Sequence, residues 1–268
     1  MATNDRTLTD HEAWIAQVSE TALEPDLPIC DAHHHLWLDS GHTGWPYTLT
    51  DFHDDTSAGH NVVRSIFLEC HAEYRQDGPQ HLRSVGEVEF VAELAEQSAA
   101  SGKTEIAGIM GNADLSLGRE VEEVLAALDK AGRGRFRGVR YITAADDHPP
   151  LAMYDNAPMD GSAFLDGLRT VGELGYTFDA MVYHPQLPLL AAAARACPDT
   201  PIVIDHLGGF LGTGPYKDRR DEILGFWYDA MAELAALPNT FLKTGGIGMP
   251  MMGYRWDKRA TPATSEEL

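Results

Sequence analysis

The residues with the clearest chemical meaning are the histidines of segment 31–37, which reads DAHHHLW. The apolar run 29–35 predicts a strand, and successive side chains of a strand point to opposite faces. His33 and His35 are therefore expected on one face and His34 on the other. Two imidazoles on one face can share a metal ion. Stacked core histidines are the alternative, although buried imidazoles without partners are costly.

Two more histidines follow later predicted strands. His184 ends the apolar run 177–183, and His206 ends the run 201–206. Each alone would more often be a structural histidine. Active sites of barrel enzymes gather at the C-terminal ends of the strands, however, so these residues are expected near the first pair. Three imidazoles make a reasonable zinc site, and a fourth can donate or accept protons.

Two cations also end predicted strands. Arg140 ends the run 136–142, where its planar guanidinium could grip a substrate carboxylate or form an internal ion pair with Glu69 or Asp205. Lys243 ends the run 240–244, and it either faces the site or pairs with an acid. The residue types alone leave both alternatives open for each cation.

The second predicted strand, 62–70, carries Glu69 and, one residue beyond its end, His71, which share one face. They are expected to support the site or to orient its ligands. Cys70 points the other way and is predicted to be core.

A long connection without periodicity, residues 36–61, follows the first strand and is rich in aromatic residues, with Trp37 at its start. Such a loop fits a lid or a substrate wall better than a spacer. Trp37 is therefore a predicted substrate contact.

The elements that would position these residues alternate along the chain. Strands are predicted at 29–35, 62–70, 105–111, 136–142, 177–183, 201–206 and 240–244, and helices at 86–100, 119–131, 163–174, 188–196 and 221–236. Repeated βα units predict a parallel sheet, and the chain lacks the glycine-rich motifs of open nucleotide-binding sheets. The sheet is either open and doubly wound or closed into a barrel, and the missing motifs weaken the open form. The predicted fold class is α/β, of the (β/α)8 TIM-barrel type, with about seven of its eight strands present.

Two domains of unequal size are predicted. Residues 1–28 form an N-terminal helical extension, with a capping box from Thr9 to Glu12, and residues 29–268 form the barrel without its C-terminal unit. The end of the chain, from Thr264 or Ser265 into two glutamates, is typical of a helix start, and the chain is predicted to be truncated there.

The charge excludes some partners. The chain of 268 residues carries a formal net charge of −21, which opposes nucleic acids and anionic membrane surfaces. Its three cysteines lie in or beside apolar runs without a CxxC pair, and residues 1–6 do not resemble a signal peptide. Buried, reduced thiols and a cytoplasmic location are expected, and a homo-oligomer is left open.

These motifs together resemble the amidohydrolase-2 branch of the amidohydrolase superfamily. The resemblance rests on segments 31–37, 138–140, 184–188, 205–208 and 243–245, in that order, and it covers the chain from about residue 28 onward. It implies a (β/α)8 barrel. Members of the branch include lactonases that act on sugar lactones, muconolactones and pyrone dicarboxylates, and decarboxylases similar to aminocarboxymuconate semialdehyde decarboxylase.

The resemblance also implies residue roles. His33 and His35 match the metal-binding pair, His184 matches a ligand on the fifth strand, and His206 matches a sixth-strand histidine used in catalysis or ligation. A divalent metal is implied, zinc or else manganese, although some lactonases of the branch use none. The branch places an aspartate at the end of the eighth strand, which this chain does not reach; Asp257 is not assigned that role.

The predicted function is hydrolysis of a lactone, either sugar-derived or carboxylated, by an activated water. His206 and Arg140 are the predicted catalytic residues, and Arg140, Glu69, Trp37 and Lys243 are predicted to bind an acidic or sugar-derived small molecule. The alternatives are metal-dependent, non-oxidative decarboxylation of an aromatic or muconate-type acid, and an inactive or binding-only fragment.

Overall fold

The computed structural model describes residues 6–39, 44–153 and 159–268. The strands of this part are β1 (Pro28–His34), β2 (Asn61–Leu68), β3 (Glu105–Asn112), β4 (Phe136–Ile142), β5 (Thr177–Met181), β6 (Ile202–Ile204) and β7 (Thr240–Leu242). The α-helices are α1 (Leu8–Ile15), α2 (Leu49–Thr56), α3 (Val85–Ser101), α4 (Val121–Ala131), α5 (Ser162–Glu173), α6 (Leu187–Ala196) and α7 (Arg220–Ala235).

The strands form one sheet in chain order, β1 to β7, and every neighbouring pair is parallel. Helices follow the strands, which is the repeated βα unit of a barrel-type fold. The predicted fold class, with seven strands of a (β/α)8 barrel, is confirmed. Within the described residues, no pairing joins β7 to β1, so the sheet is curled but open on that side.

Alternation along the strands separates a hydrophobic layer from a polar interior. On β5, Phe178 and Ala180 belong to the main core, where Phe178 meets Phe164 of α5 at a ring-centroid distance of 6.0 Å. Asp179, between them, instead reaches the ammonium of Lys243. The outer face of the sheet therefore packs on helices, while the inner face holds charged groups.

The two unpaired edge strands are more exposed than the central ones. Phe241 and Leu242 of β7 are 56% and 41% exposed, whereas all residues of β4 except Arg137 are buried. Cys30, on β1, is exposed, so the prediction that all three thiols are buried is wrong for this residue. Within the described residues, β1 is an edge strand that pairs only with β2, which leaves Cys30 accessible. Cys70 and Cys197 are buried, as predicted.

Two local predictions are also wrong. Thr7, not Thr9, caps α1, because the Thr7 side chain accepts the amide hydrogen of Asp10. The connection predicted to lack periodicity contains α2, which a capping box between Thr48 and Asp51 starts. Both helices begin at hydrogen bonds between the backbone and short polar side chains. A search for hydrophobic periodicity does not detect such bonds. Residues 40–43 of this connection lie outside the described residues.

The start of the described chain contacts its last segment. Arg6 donates to the backbone carbonyls of Asp257 and Arg259, and the indole nitrogen of Trp14 donates to Arg259 at 3.0 Å. The boundary between residues 1–28 and the barrel stays a prediction. Among the described helices, none is long and apolar enough to cross a membrane.

Candidate metal centre and active site

Strand β1 directs two histidines into the polar interior. The Nε2 atoms of His33 and His35 lie 3.2 Å apart, and Nδ1 of His35 lies 2.8 Å from the carbonyl oxygen of Leu68. A carbonyl oxygen only accepts, so the proton of His35 sits on Nδ1 and its Nε2 carries a free electron pair. His34 faces the other way and stacks on Phe52 of α2 at 4.3 Å. The predicted alternation of the three histidines is confirmed.

The segment after β6 brings two further groups to His33. The carboxylate of Asp205 lies 3.6 Å from Nδ1 of His33, and the ring centroids of His33 and His206 are 4.5 Å apart. His206 and Leu207 both have left-handed backbone angles, with φ of 50° and 56°, so the chain turns sharply there. Gly246 allows this approach, because a Cβ at this position would lie 2.3 Å from Nδ1 of His206.

Donor atoms of His33, Asp205 and His206 all lie within 4.8 Å of one another, as ligands of one metal ion would. Among the described residues, four of their atoms are buried and make no hydrogen bond: Nδ1 of His33, Nδ1 of His206 and both carboxylate oxygens of Asp205. Buried polar atoms in native proteins normally have a partner. Their concentration at one point, in a set of imidazole and carboxylate donors, fits a divalent cation.

The protonation states suit this role. Burial lowers the pKa of His33 and of His35, in each case outweighing the groups that raise it. Burial, followed by the charge of His33, lowers the pKa of His206 to about 4. The three imidazoles are therefore neutral near pH 7, and the neutral form is the one that binds metal ions.

A layer of buried ion pairs surrounds these donors. Arg140 of β4 donates from Nε to Glu69 at 2.9 Å, and its Nη1 lies 3.8 Å from Asp205. Lys243 pairs with Asp179 of β5 and lies 3.3 Å from Asp205. The ion-pair alternative for Arg140 is therefore present in the structure, and Lys243 both pairs with acids and faces the cleft.

These pairs set the charge of the carboxylates. Burial opposes ionisation of Asp205, but the nearby Nδ1 of His33, at 3.6 Å, and the charges of Lys243 and Arg140 hold its pKa below the ordinary value. Burial, together with the charge of Asp205, raises the pKa of Asp179 to about 6. Asp205 is therefore an anion at neutral pH, as a metal ligand or an orienting partner of His33 must be.

His184 has a different environment. Its Nδ1 accepts the amide hydrogen of Leu211 at 3.2 Å, and its ring packs edge-on against Tyr216 and Phe226. Burial lowers its pKa to about 4. His184 is not part of the group formed by His33, Asp205 and His206.

A cleft of about 750 Å³ runs between β1 and β7 and reaches the donors. His33, His206 and Lys243 line its inner end, and Tyr47 and His60 line it farther out. Its size is within the usual range of sites for small molecules.

A family model described as amidohydrolase matches residues 30–267. This match spans most of the chain. The chain belongs to the amidohydrolase family.

Known relatives of this amidohydrolase agree with that assignment. An L-fucono-1,5-lactonase from Burkholderia ambifaria is 29% identical over 232 residues, which are 81% of this chain and 67% of the relative. The crystal structure of an amidohydrolase from Burkholderia multivorans with bound HEPES has a TM-score of 0.63 at 24% identity, and the match covers 89% of this chain and 75% of that one. A second crystal form of that protein contains zinc and matches with a TM-score of 0.62 at 24% identity over 85% of this chain and 72% of that one. The family and the lactonase relative support hydrolase activity in broad terms.

The structure brings most of the predicted site residues of the amidohydrolase together. One connected group contains His33, His35, His206, Arg140, Glu69 and Lys243. Trp37 lies beside it, with its ring centroid 6.5 Å from that of His35. His184 is outside the group, and its role as a ligand stays a prediction, as do the roles of the others in substrate binding and catalysis.

Sequence reasoning missed Asp205 and Asp179 as members of the site. The sequence predicts Asp205 only as an ion-pair partner of Arg140, and it places Asp179 inside an apolar strand. A signal did exist for both. An acid inside an otherwise apolar buried strand is rarely left there without a partner or a function.

Proposed function

We propose that the amidohydrolase opens the ester bond of an uncharged, sugar-derived lactone at a divalent-metal centre. The observation that carries the metal centre is the group of buried donor atoms on His33, Asp205 and His206 that have no hydrogen bond in the described part of the chain. These three residues would hold the ion, and His35 is placed to join them, because its unprotonated Nε2 lies 3.2 Å from Nε2 of His33. An ion held there supplies Lewis acidity, which polarises an ester carbonyl for attack by water.

The groups around the donor atoms keep Asp205 ionised and His35 in the tautomer that can bind a metal ion. Arg140 and Lys243 stabilise the ionised form of Asp205, and the carbonyl of Leu68 fixes the tautomer of His35. Water then attacks the carbonyl carbon, the bond to the ring oxygen breaks, and a hydroxy acid forms. The first substrate to try is L-fucono-1,5-lactone, which the name of a relative suggests.

The charge balance of the interior favours a neutral lactone over a carboxylated one. Two cations, Arg140 and Lys243, face three buried carboxylates, Glu69, Asp179 and Asp205. Among the described residues of the group, no cation is left over for a substrate carboxylate. A bound divalent ion would add positive charge, but at the ester carbonyl; a carboxylate elsewhere on the ring would meet only guanidinium and ammonium groups that already pair with acids, so the kcat/KM of a carboxylated lactone should be lower by about 10-fold or more.

The test is to load the purified protein with zinc or manganese, measure the bound metal and follow acid release from neutral and carboxylated lactones. His33→Gln should lose both bound metal and activity, whereas His60→Gln, which changes an exposed histidine of the same cleft, should keep both. If no lactone is opened with either metal, the proposal is wrong. Release of carbon dioxide from an aromatic or muconate-type acid would support the decarboxylase alternative, and ligand binding without turnover would support the binding-only alternative.

A further inference from the structure

The backbone that carries His206 has an unusual shape. His206, Leu207, Gly208 and Gly209 all have positive φ angles, of 50°, 56°, 69° and 58°. Glycine adopts such angles readily, whereas they are costly for histidine and leucine. The two costly residues come first, directly after Asp205. Contacts with other parts of the molecule are therefore needed to keep His206 and Leu207 in this left-handed turn.

The hydrogen bonds within the turn are made by the amides of its two glycines. The amide of Gly208 donates to the carbonyl of Asp205 at 2.9 Å, and the amide of Gly209 donates to the carbonyl of His206 at 3.0 Å. Neither bond uses the amide or the carbonyl of Leu207. These local bonds therefore leave the peptide groups of Leu207 to partners outside the turn.

Two later elements hold Leu207. Its amide donates to the carbonyl of Lys243, just after β7, at 3.0 Å. Its carbonyl accepts from the indole nitrogen of Trp227, on α7, at 2.6 Å. The direction of an amide and of a carbonyl follows from the φ and ψ angles beside it, so the two bonds together fix the conformation of Leu207.

Trp227 is itself held firmly. Its ring packs edge-on against Phe210 at a ring-centroid distance of 5.9 Å. It also lies against both the main core and the smaller cluster of Phe210, Ile223 and Met252. An indole nitrogen can only donate, so the carbonyl of Leu207 is a suitable partner for it. Helix α7 therefore presents a fixed donor to the turn.

The turn decides where the imidazole of His206 points. The ring lies between the ring of His33, 4.5 Å away between centroids, and the backbone at Gly246, where an added Cβ would lie 2.3 Å from Nδ1. Relaxation of Leu207 to right-handed angles would rotate this ring out of its place between the two. The distances among the donor atoms of His33, Asp205 and His206 therefore depend on the left-handed turn.

We propose that Trp227 is a positioning residue of the metal centre proposed above, and this inference rests on that centre. The indole N–H holds Leu207 in its left-handed conformation and thereby directs His206 toward His33 and Asp205. Within the described residues, Trp227 is not part of the cleft lining, whereas His206 is. Trp227 therefore acts through His206 and does not touch the substrate.

Removal of the indole N–H provides the test. Trp227→Phe keeps an aromatic ring beside Phe210 but cannot donate to Leu207. Its affinity for zinc, measured by competition with a chelator, should fall by about 10- to 100-fold, the usual effect of losing a group that orients a metal ligand. The visible absorption spectrum of the cobalt-loaded variant should also change, because it reports the number and geometry of the ligands.

A core substitution on the same helix gives the matched control. Leu234 is fully buried on α7, so Leu234→Ala should lower the melting temperature by leaving a cavity, but it should change neither the zinc affinity nor the cobalt spectrum. Equal losses of zinc affinity in Trp227→Phe and Leu234→Ala would show that Trp227 has only a structural role. A loss below about threefold in Trp227→Phe would also overturn the proposal.

An isosteric replacement decides the case if Trp227→Phe does not fold. Benzothiophene in place of the Trp227 indole keeps the shape of the ring and replaces the N–H with sulfur. This variant should also bind zinc about 10- to 100-fold more weakly than the wild-type protein. Unchanged affinity would mean that the hydrogen bond to Leu207 does not position His206.

A second measurement needs no metal ion. In metal-free protein with isotope-labelled histidine, the ring protons of His33 and His206 should give a nuclear Overhauser cross-peak, and Trp227→Phe should lose it. Retention of the cross-peak in the variant, or its absence from the wild-type protein, would contradict the proposal. If the wild-type protein binds neither zinc nor cobalt, the proposed metal centre fails, which is a separate result.

Discussion

At the scale of single residues, charge pairing limits what each side chain can do. Arg140 has the geometry to bind a substrate carboxylate, but its guanidinium is 6% exposed and contacts Glu69 and Asp205. Removing one member of a buried ion pair is costly, because the remaining charge stays in a medium of low polarity. Arg140 is therefore positioned to stabilise the site. Its positive charge is already compensated by the carboxylates of Glu69 and Asp205.

Glu87 gives a prediction at this scale. Burial, followed by the charge of Glu69, raises its pKa to about 8 from an ordinary value of 4.5. Between pH 4.5 and pH 8 the carboxyl of Glu87 is protonated in the folded protein but ionised in the unfolded chain. Its contribution to the free energy of unfolding is therefore fully present below pH 4.5 and is lost as the pH rises through 8. Glu87→Gln keeps an oxygen to accept from Cys70 and Ala72 but does not titrate.

The free energy of unfolding of Glu87→Gln, relative to the wild-type protein, should therefore increase between pH 5 and pH 8.5. Urea unfolding at several pH values measures this difference. Glu96→Gln changes an exposed acid of the same helix, and its difference from wild type should stay nearly constant over this range. A constant difference for Glu87→Gln as well would mean that Glu87 is ionised throughout.

At the scale of elements, close approach between neighbouring strands sets the geometry of the interior. Gly138 of β4 is paired with Thr177 of β5, and a Cβ at this position would lie 2.1 Å from the Thr177 carbonyl oxygen. The same pairing places Arg140 opposite Asp179. The register of β4 and β5 depends on the absence of a Cβ at Gly138. The alignment of the ion-pair layer depends on the same register.

Gly138→Ala should therefore destabilise the fold by about 2 kcal/mol or more, because the backbone of β5 must move. Gly225, inside α7, has no atom within 4 Å of an added Cβ, so Gly225→Ala should be neutral or stabilising by up to about 1 kcal/mol. Thermal and urea unfolding of the two variants provide the comparison. Similar stabilities would contradict the importance of this approach.

At the scale of the whole molecule, contacts between distant parts of the chain join the first helix to the last segment. Trp14 donates to the carbonyl of Arg259, and the guanidinium of Arg6 stacks over the Trp14 ring at 4.3 Å. His11 lies 5.3 Å from Trp45, ring centroid to ring centroid, so α1 also touches the loop after β1. The predicted N-terminal extension thus packs on two segments that follow the edge strands.

Trp14→Ala should release the last segment. Limited proteolysis should cut residues 255–268 several times faster, while the global free energy of unfolding should fall by only about 1–2 kcal/mol, since the main core is untouched. Leu23→Ala, at a residue that is 95% exposed, should leave the cleavage rate unchanged. Unchanged cleavage in Trp14→Ala would mean that α1 does not hold this segment.

Local patterns in the sequence determined the elements and the faces of the strands. The two-residue alternation of β1 was sufficient to place His33 with His35 and to separate His34, and the βα repeat was sufficient for a parallel sheet. Both follow from backbone periodicity, which is a property of neighbouring residues.

The tertiary structure alone decided which strand ends meet. Asp205 and His206 reach His33, while His184, at an equally plausible strand end, packs against Tyr216 and Phe226. It also decided that Arg140 and Lys243 pair internally. These outcomes depend on strand register, on left-handed turns such as that at His206 and on glycines that allow close approach, and each involves residues far apart in the chain. Periodicity contains no information on such distances, so the composition of the site had to come from the folded molecule.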